Sequence, residues 1–267
     1  MKCYSVEARD LQDAWFQCVD LCYQHGRDYR VGEGSYAEVQ MRREIDYITI
    51  HITNPQTRPL LPELPQDMIA AGIPNPVPTG MEYVEQYLPY LMTDECKPGE
   101  QYTYGERLFG DTQAATPHAK GGAPGGRVTA SSGFVEFGSS QVEEVIAKFK
   151  RGFANNQACM TVAKPSDIHL TDPPCLRQID CRIYPATDGD RFADYPSLDE
   201  EELHFVAYFR SWDLWGGFPA NLAAIVHLQE YMASEIGVEP GELICASKGL
   251  HLYDMYWELA RRRLGES

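Results

Sequence analysis

The chain lacks an excess of basic residues: 23 Lys and Arg stand against 39 Asp and Glu, for a formal charge of −16. A nucleic-acid polymer is held by Lys and Arg that neutralise its phosphates, so this balance argues against a polymer footprint. A single nucleotide phosphate needs only a few local arginines. No apolar run approaches the roughly 20 residues required to cross a bilayer, and no charged n-region followed by an apolar h-region opens the chain. A soluble, cytoplasmic protein without membrane contact is expected. Cysteine is sparse, eight in 267 residues at positions 3, 18, 22, 96, 159, 175, 181 and 245, with no C-x-x-C pair and no Cys/His metal spacing. Free thiols and no bound metal follow. A regular β-α-β alternation is also missing, which points to an α+β or mixed-sheet fold rather than a doubly wound one. A lone Gly32-Glu33-Gly34 is weak support for a dinucleotide fold.

What is present divides into periodic segments and polar joints. Leu11, Trp15, Val19 and Cys22 recur at helical spacing and predict a helix over Val6–Gln24, followed by a polar, glycine-punctuated turn over Arg27–Ser35. Ile48, Ile50 and Ile52 alternate with Thr49 and His51 as a half-buried strand that Asn54-Pro55 ends. A proline-dense extended stretch then leads to a helix over Met81–Met92, with Pro89 as a potential kink. Residues 110–133 are rich in Gly, Ala, Pro, Ser and Thr and read as a flexible loop. Val142, Val145, Ile146 and Phe149 mark a helix entered through a Ser139-Ser140 cap, and Ala158–Ala163 reads as a strand. Strands are expected at Gln178–Tyr184 and Leu203–Phe209, around an acidic hairpin insertion at 185–201. A helix over Asn221–Ile236 stopped by Gly237, a strand at Leu243–Ala246 and a last helix over Asp254–Leu264 complete a single domain of 1–267.

Several side chains could carry chemistry. Cys175 follows Pro173-Pro174, which bar a helix before it and could hold its sulfur at the mouth of a cleft, although a free cysteine is more often a packing residue. Arg210 and Ser211 follow an apolar strand and precede Gly216-Gly217, a composition suited to phosphate; a surface pair between Arg210 and Asp213 is the plainer alternative. Arg30 supplies a second guanidinium within Asp28–Ser35. Asn221 opens the predicted helix and could be its N-cap, while His251 and Tyr253, two apart before the last helix, could read a ribose hydroxyl or merely close the helix end.

The series Asp28-x-Arg30-x-Gly32-x-Gly34-Ser35, Tyr104-Gly105-Glu106-Arg107, Pro173-Pro174-Cys175, Phe209-Arg210-Ser211-x-Asp213-x-x-Gly216-Gly217-x-Pro219-x-Asn221 and His251-Leu252-Tyr253 resembles the folate-dependent thymidylate synthase family, in particular its short-tailed archaeal-type members. The resemblance implies an α+β fold with a large mixed sheet flanked by helices, and a homodimer formed sheet to sheet. It implies a pyrimidine nucleoside monophosphate as substrate and 5,10-methylenetetrahydrofolate, or a related pterin, as co-substrate. Cys175 would be the nucleophile at C6, Tyr104 would assist proton removal from C5, and Arg210, Ser211 and Arg30 would hold the phosphate. His251 and Tyr253 would bind the sugar hydroxyl, Asn221 the base edge and Asp213 the pterin. Glu85 corresponds to the family's general base, with Glu63, Glu82, Glu95 and Glu100 as rivals.

The chain departs from the family pattern at several points. Leu176 replaces the usual His after the nucleophile, and the arginines that the family gives across its dimer interface fall on Asn155 and Asn156, with Arg151 or Arg177 as the candidate substitute. The segment leading into Tyr104 contains no tryptophan, where the family normally places them, and the chain ends at Ser267 without a long closing tail. Methylation of deoxyuridylate is the expected reaction, since Asn221 favours uracil and the archaeal-type members that the chain resembles are usually assigned to it; 5-hydroxymethylation of a cytidylate or uridylate is the alternative, because methylation needs water excluded and a shell without tryptophan cover or closing tail admits it. A non-catalytic nucleotide-binding regulator is the third reading.

Overall fold

The structure, a computed structural model, describes residues 1–32, 40–63, 80–110, 140–185 and 201–265. The flexible loop expected at 110–133 and the acidic insertion at 185–201 lie almost wholly outside the described residues. Six strands form the larger sheet: β1 (Cys3–Ala8), β4 (Tyr47–Ile52), β5 (Cys159–Thr161), β6 (Leu176–Pro185), β7 (Glu201–Phe209) and β9 (Glu239–Ser247), in the order β1-β4-β9-β7-β6-β5. The pairs β1–β4 and β7–β9 are parallel while β4–β9, β6–β7 and β5–β6 are antiparallel, so the sheet is mixed. A second sheet runs β2 (Arg27–Arg30), β3 (Met41–Ile45), β10 (Leu250–Tyr253) and β8 (Trp212–Asp213). This is the expected α+β arrangement.

Alternation fixes which face of the large sheet is buried. Along β7, Leu203, Phe205, Ala207 and Phe209 are buried while His204, Val206 and Tyr208 point the other way, the period of two that a pleated strand imposes. The inner face packs against α1 (Leu11–His25) and α5 (Gly217–Ile236), whose Leu222, Ile225, Val226 and Leu228 join the same core cluster. Helices α2 (Met81–Met92), α3 (Tyr104–Phe109), α4 (Gln141–Arg151) and α6 (Trp257–Arg263) surround it. Helix α4 begins at the expected cap: Ser140 and Glu143 form a reciprocal capping box.

Several boundaries differ from the sequence reading, each for a local reason. Val6 belongs to β1, buried with Ala8 against β4, and Asp10 starts α1 by accepting from the Asp13 amide, so the predicted Val6–Gln24 helix is a strand and a helix. Arg27–Arg30, expected as turn, pairs with β3. Helix α5 starts at Gly217, four residues before Asn221, because the Asp213 carboxylate accepts from the amides of Trp215, Gly216 and Gly217, and Pro219 occupies the first turn where no amide is needed. Asn221 is thus inside the helix rather than its cap. His251 and Tyr253 lie on β10, where period two puts both on one face and leaves Leu252 in the core. The last helix opens with a 3-10 turn, Asp254–Tyr256.

Candidate active site

The end of the β6–β7 hairpin ladder brings Cys175 and Arg210 together. Leu176 pairs with Phe209, and one step outward the Arg210 amide donates to the Cys175 carbonyl at 2.8 Å. The guanidinium then wraps around the turn before the cysteine: Nε donates to the carbonyls of Pro173 (3.1 Å) and Pro174 (3.2 Å), and Nη2 reaches the Pro173 carbonyl and Asp172 Oδ1 (3.0 Å). The prolines thereby leave carbonyls for Arg210 to bind. The plainer alternative of an Arg210–Asp213 pair is not what is seen, since Asp213 caps α5 and Arg210 pairs with Asp172.

Burial pushes the Cys175 thiol above its ordinary range, and the Asp172 and Asp213 carboxylates add to that rise. Arg210 is the largest opposing influence and Arg177 the next. Arg177 is held in place by the Pro174 carbonyl at 3.2 Å and the buried Asp167 carboxylate at 3.9 Å. Arg151, the other candidate substitute, is exposed at the end of α4.

Tyr104 is 7% exposed, and its hydroxyl accepts from the amide of Leu176, the residue after the cysteine, at 3.3 Å. Because that hydroxyl accepts from the backbone, its own proton stays available to donate. Burial pushes the phenol well up, with the charges of Tyr87 and Cys175 adding to the effect, so it remains protonated at neutral pH. Gly105 permits this placement: a Cβ there would stand 1.9 Å from the Thr93 carbonyl oxygen at the end of α2.

A cavity of about 450 Å³ opens beside these groups. Its wall includes Tyr83, Tyr87 and Tyr90 of α2, Tyr104 and Asn221. The tyrosines form a chain of ring contacts, Tyr83–Tyr87 at 6.3 Å, Tyr87–Tyr90 at 5.4 Å and Tyr90–Tyr104 at 5.1 Å, continued by Tyr102–Tyr104 at 6.3 Å. Cys175, Arg210 and His251 are not on the wall of this cavity; Tyr104 and Asn221 join it to the cysteine side.

Asn221 is held through both ends of its amide. Its Oδ1 accepts from the Trp212 indole Nε1 at 2.9 Å and its Nδ2 donates to the Tyr87 hydroxyl at 2.8 Å. His251 is 3% exposed, and its Nδ1 lies 2.9 Å from the Gly249 carbonyl. A carbonyl can only accept, so Nδ1 carries the proton and Nε2 is an acceptor. Among the described residues Nε2 has no partner. Burial pushes this imidazole down to about 4, and it is neutral at physiological pH. Tyr253 stands edge-on to it at 4.9 Å.

The remaining candidates are spread more widely. Ser211 is half-buried between β7 and β8, and Arg30 is exposed at the end of β2. Glu85 is exposed on α2 and does not line the cavity, whereas Glu95 and Glu100 do; Glu63 and Glu82 are exposed. Asp213 spends both carboxylate oxygens on backbone amides. Residues that sequence reasoning did not single out are Tyr87, Tyr90, Tyr102 and Trp212. The 83, 87, 90 spacing on a helix is a readable signal, but it reads equally as a packing stripe.

A mixed-sheet α+β fold thus brings together a proline-held cysteine, an arginine at the adjoining strand end and a buried phenol bonded to the amide of the residue after the cysteine. The thymidylate synthase family model matches residues 99–267. The chain belongs to the thymidylate synthase family and is a one-carbon transferase. It is 27% identical over 255 residues to a putative thymidylate synthase of Methanosarcina mazei, covering 95% of this chain and 91% of that protein. A putative thymidylate synthase of Methanothermobacter marburgensis is 24% identical over 263 residues, covering 97% and 96%. Among solved structures, thermostable thymidylate synthase A from Bacillus subtilis superposes with a TM-score of 0.63 at 13% identity, covering 97% of this chain and 85% of that one, a likeness of fold.

Proposed function

We infer that the protein methylates C5 of deoxyuridylate, taking the carbon from 5,10-methylenetetrahydrofolate. The observation that carries this reading is the convergence at one strand end of Cys175, Arg210 and the Tyr104 hydroxyl. In the proposed reaction the Cys175 thiolate adds to C6 and the electron pair moves toward C5 and O4, which makes C5 a nucleophile. Arg210, with Arg177 beside it, favours the thiolate that burial disfavours. Arg210, Ser211 and Arg30 hold the phosphate, and the free acceptor on His251, with Tyr253, receives the sugar hydroxyl. Asn221 binds the base edge. Tyr104 retains its proton and serves the exchange at C5. Asp213, the residue proposed to contact the pterin, also caps α5 and so holds Asn221 in place.

The tyrosine-walled cavity has the apolar faces and scattered hydroxyls that a pterin ring requires. The co-substrate would supply the one-carbon unit and the hydride that completes the methyl group. Methylation over 5-hydroxymethylation of a cytidylate or uridylate requires that water be kept from the reactive carbon, and the rings of Tyr87, Tyr90 and Tyr104 are the groups proposed to do so. Glu85 is the general base proposed from the family's helix before Tyr104, and Glu95 and Glu100, on the cavity wall where Glu85 is not, are the competing carboxylates.

The expected assembly is a cytoplasmic homodimer. The experiment is release of tritium from [5-³H]deoxyuridylate: Cys175→Ser abolishes it, and retained release would overturn the covalent route. In the same assay Glu85→Gln, Glu95→Gln and Glu100→Gln identify the base by which of them slows release.

A further inference from the structure

We propose that the Trp212 indole N–H fixes the orientation of the Asn221 amide and thereby makes the site select uracil over cytosine. This rests on the reading that Asn221 binds the base edge. An asparagine side chain is nearly symmetric in shape, and its two ends differ only in hydrogen-bond sense. Left free, it could turn over and present either pattern to a ligand. Uracil offers a donor at N3 and an acceptor at O4; cytosine offers an acceptor at N3 and a donor at N4.

The two neighbours of Asn221 are not equivalent. An indole nitrogen can only donate, so the contact of 2.9 Å from Trp212 Nε1 requires the amide oxygen on its side. A phenol can donate or accept, so the Tyr87 hydroxyl at 2.8 Å is compatible with either orientation and follows the amide. Trp212 is itself immobile: it is 2% exposed, stacks on Phe209 at 3.8 Å and touches Phe218 at 4.5 Å. The amide oxygen keeps one lone pair and the amide nitrogen keeps one hydrogen, and Asn221 lines the cavity. That remaining acceptor and donor match N3–H and O4 of uracil. Against cytosine, two acceptors would face each other at N3 and two donors at N4. A buried mismatch of this kind is a strong discriminator.

Trp212 is thus a positioning residue, acting on the base through Asn221. Its test is the ratio of dissociation constants for deoxycytidylate and deoxyuridylate, measured by calorimetry on wild type, Trp212→Phe, Tyr87→Phe and Asn221→Ala. Removal of the indole N–H should lower the ratio by about tenfold or more, because the amide can then turn to suit cytosine. Tyr87→Phe should leave the ratio near that of wild type, since the indole still pins the oxygen; a purely packing role would give the two aromatic variants similar effects. If Trp212→Phe does not fold, benzothienylalanine at position 212 keeps the indole shape without the N–H. An unchanged ratio in the variant without the N–H, alongside a collapsed ratio in Asn221→Ala, overturns the lock and leaves base reading by Asn221 standing. An unchanged ratio in Asn221→Ala overturns both.

Discussion

At the scale of single residues, the site is governed by which groups burial keeps neutral. His251 illustrates it. Its imidazole is pushed from 6.5 down to about 4 by burial, so between those values the unfolded chain binds a proton that the folded chain does not. Stability therefore rises with pH across that window, is fully present above about 6.5, and is lost as pH falls toward 4. The shift corresponds to at most about 3 kcal/mol. The variant His251→Asn should flatten the dependence of Tm on pH between 4 and 6.5, and a slope equal to that of wild type would show that another group carries the titration. Cys175 presents the opposite case, a thiol pushed up by burial that two arginines must draw back.

Elements were legible from the sequence where one period dominated. The alternating isoleucines of β4, the Phe149 stripe and Ser140 cap of α4, and the stop of α5 at Gly237 in left-handed conformation (φ 89°) are all where pattern and capping place them. Short strands were not legible. β1 joins directly to α1 through Asp10, so its two buried positions merge into the helical stripe; β8 is two residues long; β3, with Arg42, Arg43 and Glu44 in sequence, owes its form to pairing with β2 and β10 rather than to apolar alternation. The site followed the same division. Cys175, Arg210 and Tyr104 could be named from motifs, yet their meeting depends on the Leu176–Phe209 register, which is a long-range fact. The pairing of Asn221 with Trp212 and Tyr87 joins α5 to β8 and α2, and no local pattern encodes it.

At the scale of the whole molecule, the outer face of the large sheet is the surface on which the proposed homodimer would form. Val206 stands 38% exposed at the middle of β7, opposite Ile244 of β9, with Tyr208 and Ala246 beside them. Burying such side chains in a second copy would contribute the apolar centre that a stable interface has. A negative charge there would stand opposite Asp180 of β6 and be buried without a partner, so Val206→Glu should convert dimer to monomer in sedimentation-velocity runs; a wild type that sediments as monomer, or a variant that stays dimeric, would contradict sheet-to-sheet assembly. The overall charge of −16 is consistent with a protein that handles a small anion through a few placed arginines and not through a basic surface.

The central claim is that this fold transfers and reduces one carbon at C5 of deoxyuridylate. Its most direct test is to incubate the protein with deoxyuridylate and 5,10-methylenetetrahydrofolate and identify both products by mass. The account predicts thymidylate together with dihydrofolate. A 5-hydroxymethyl nucleotide with tetrahydrofolate left over would contradict it.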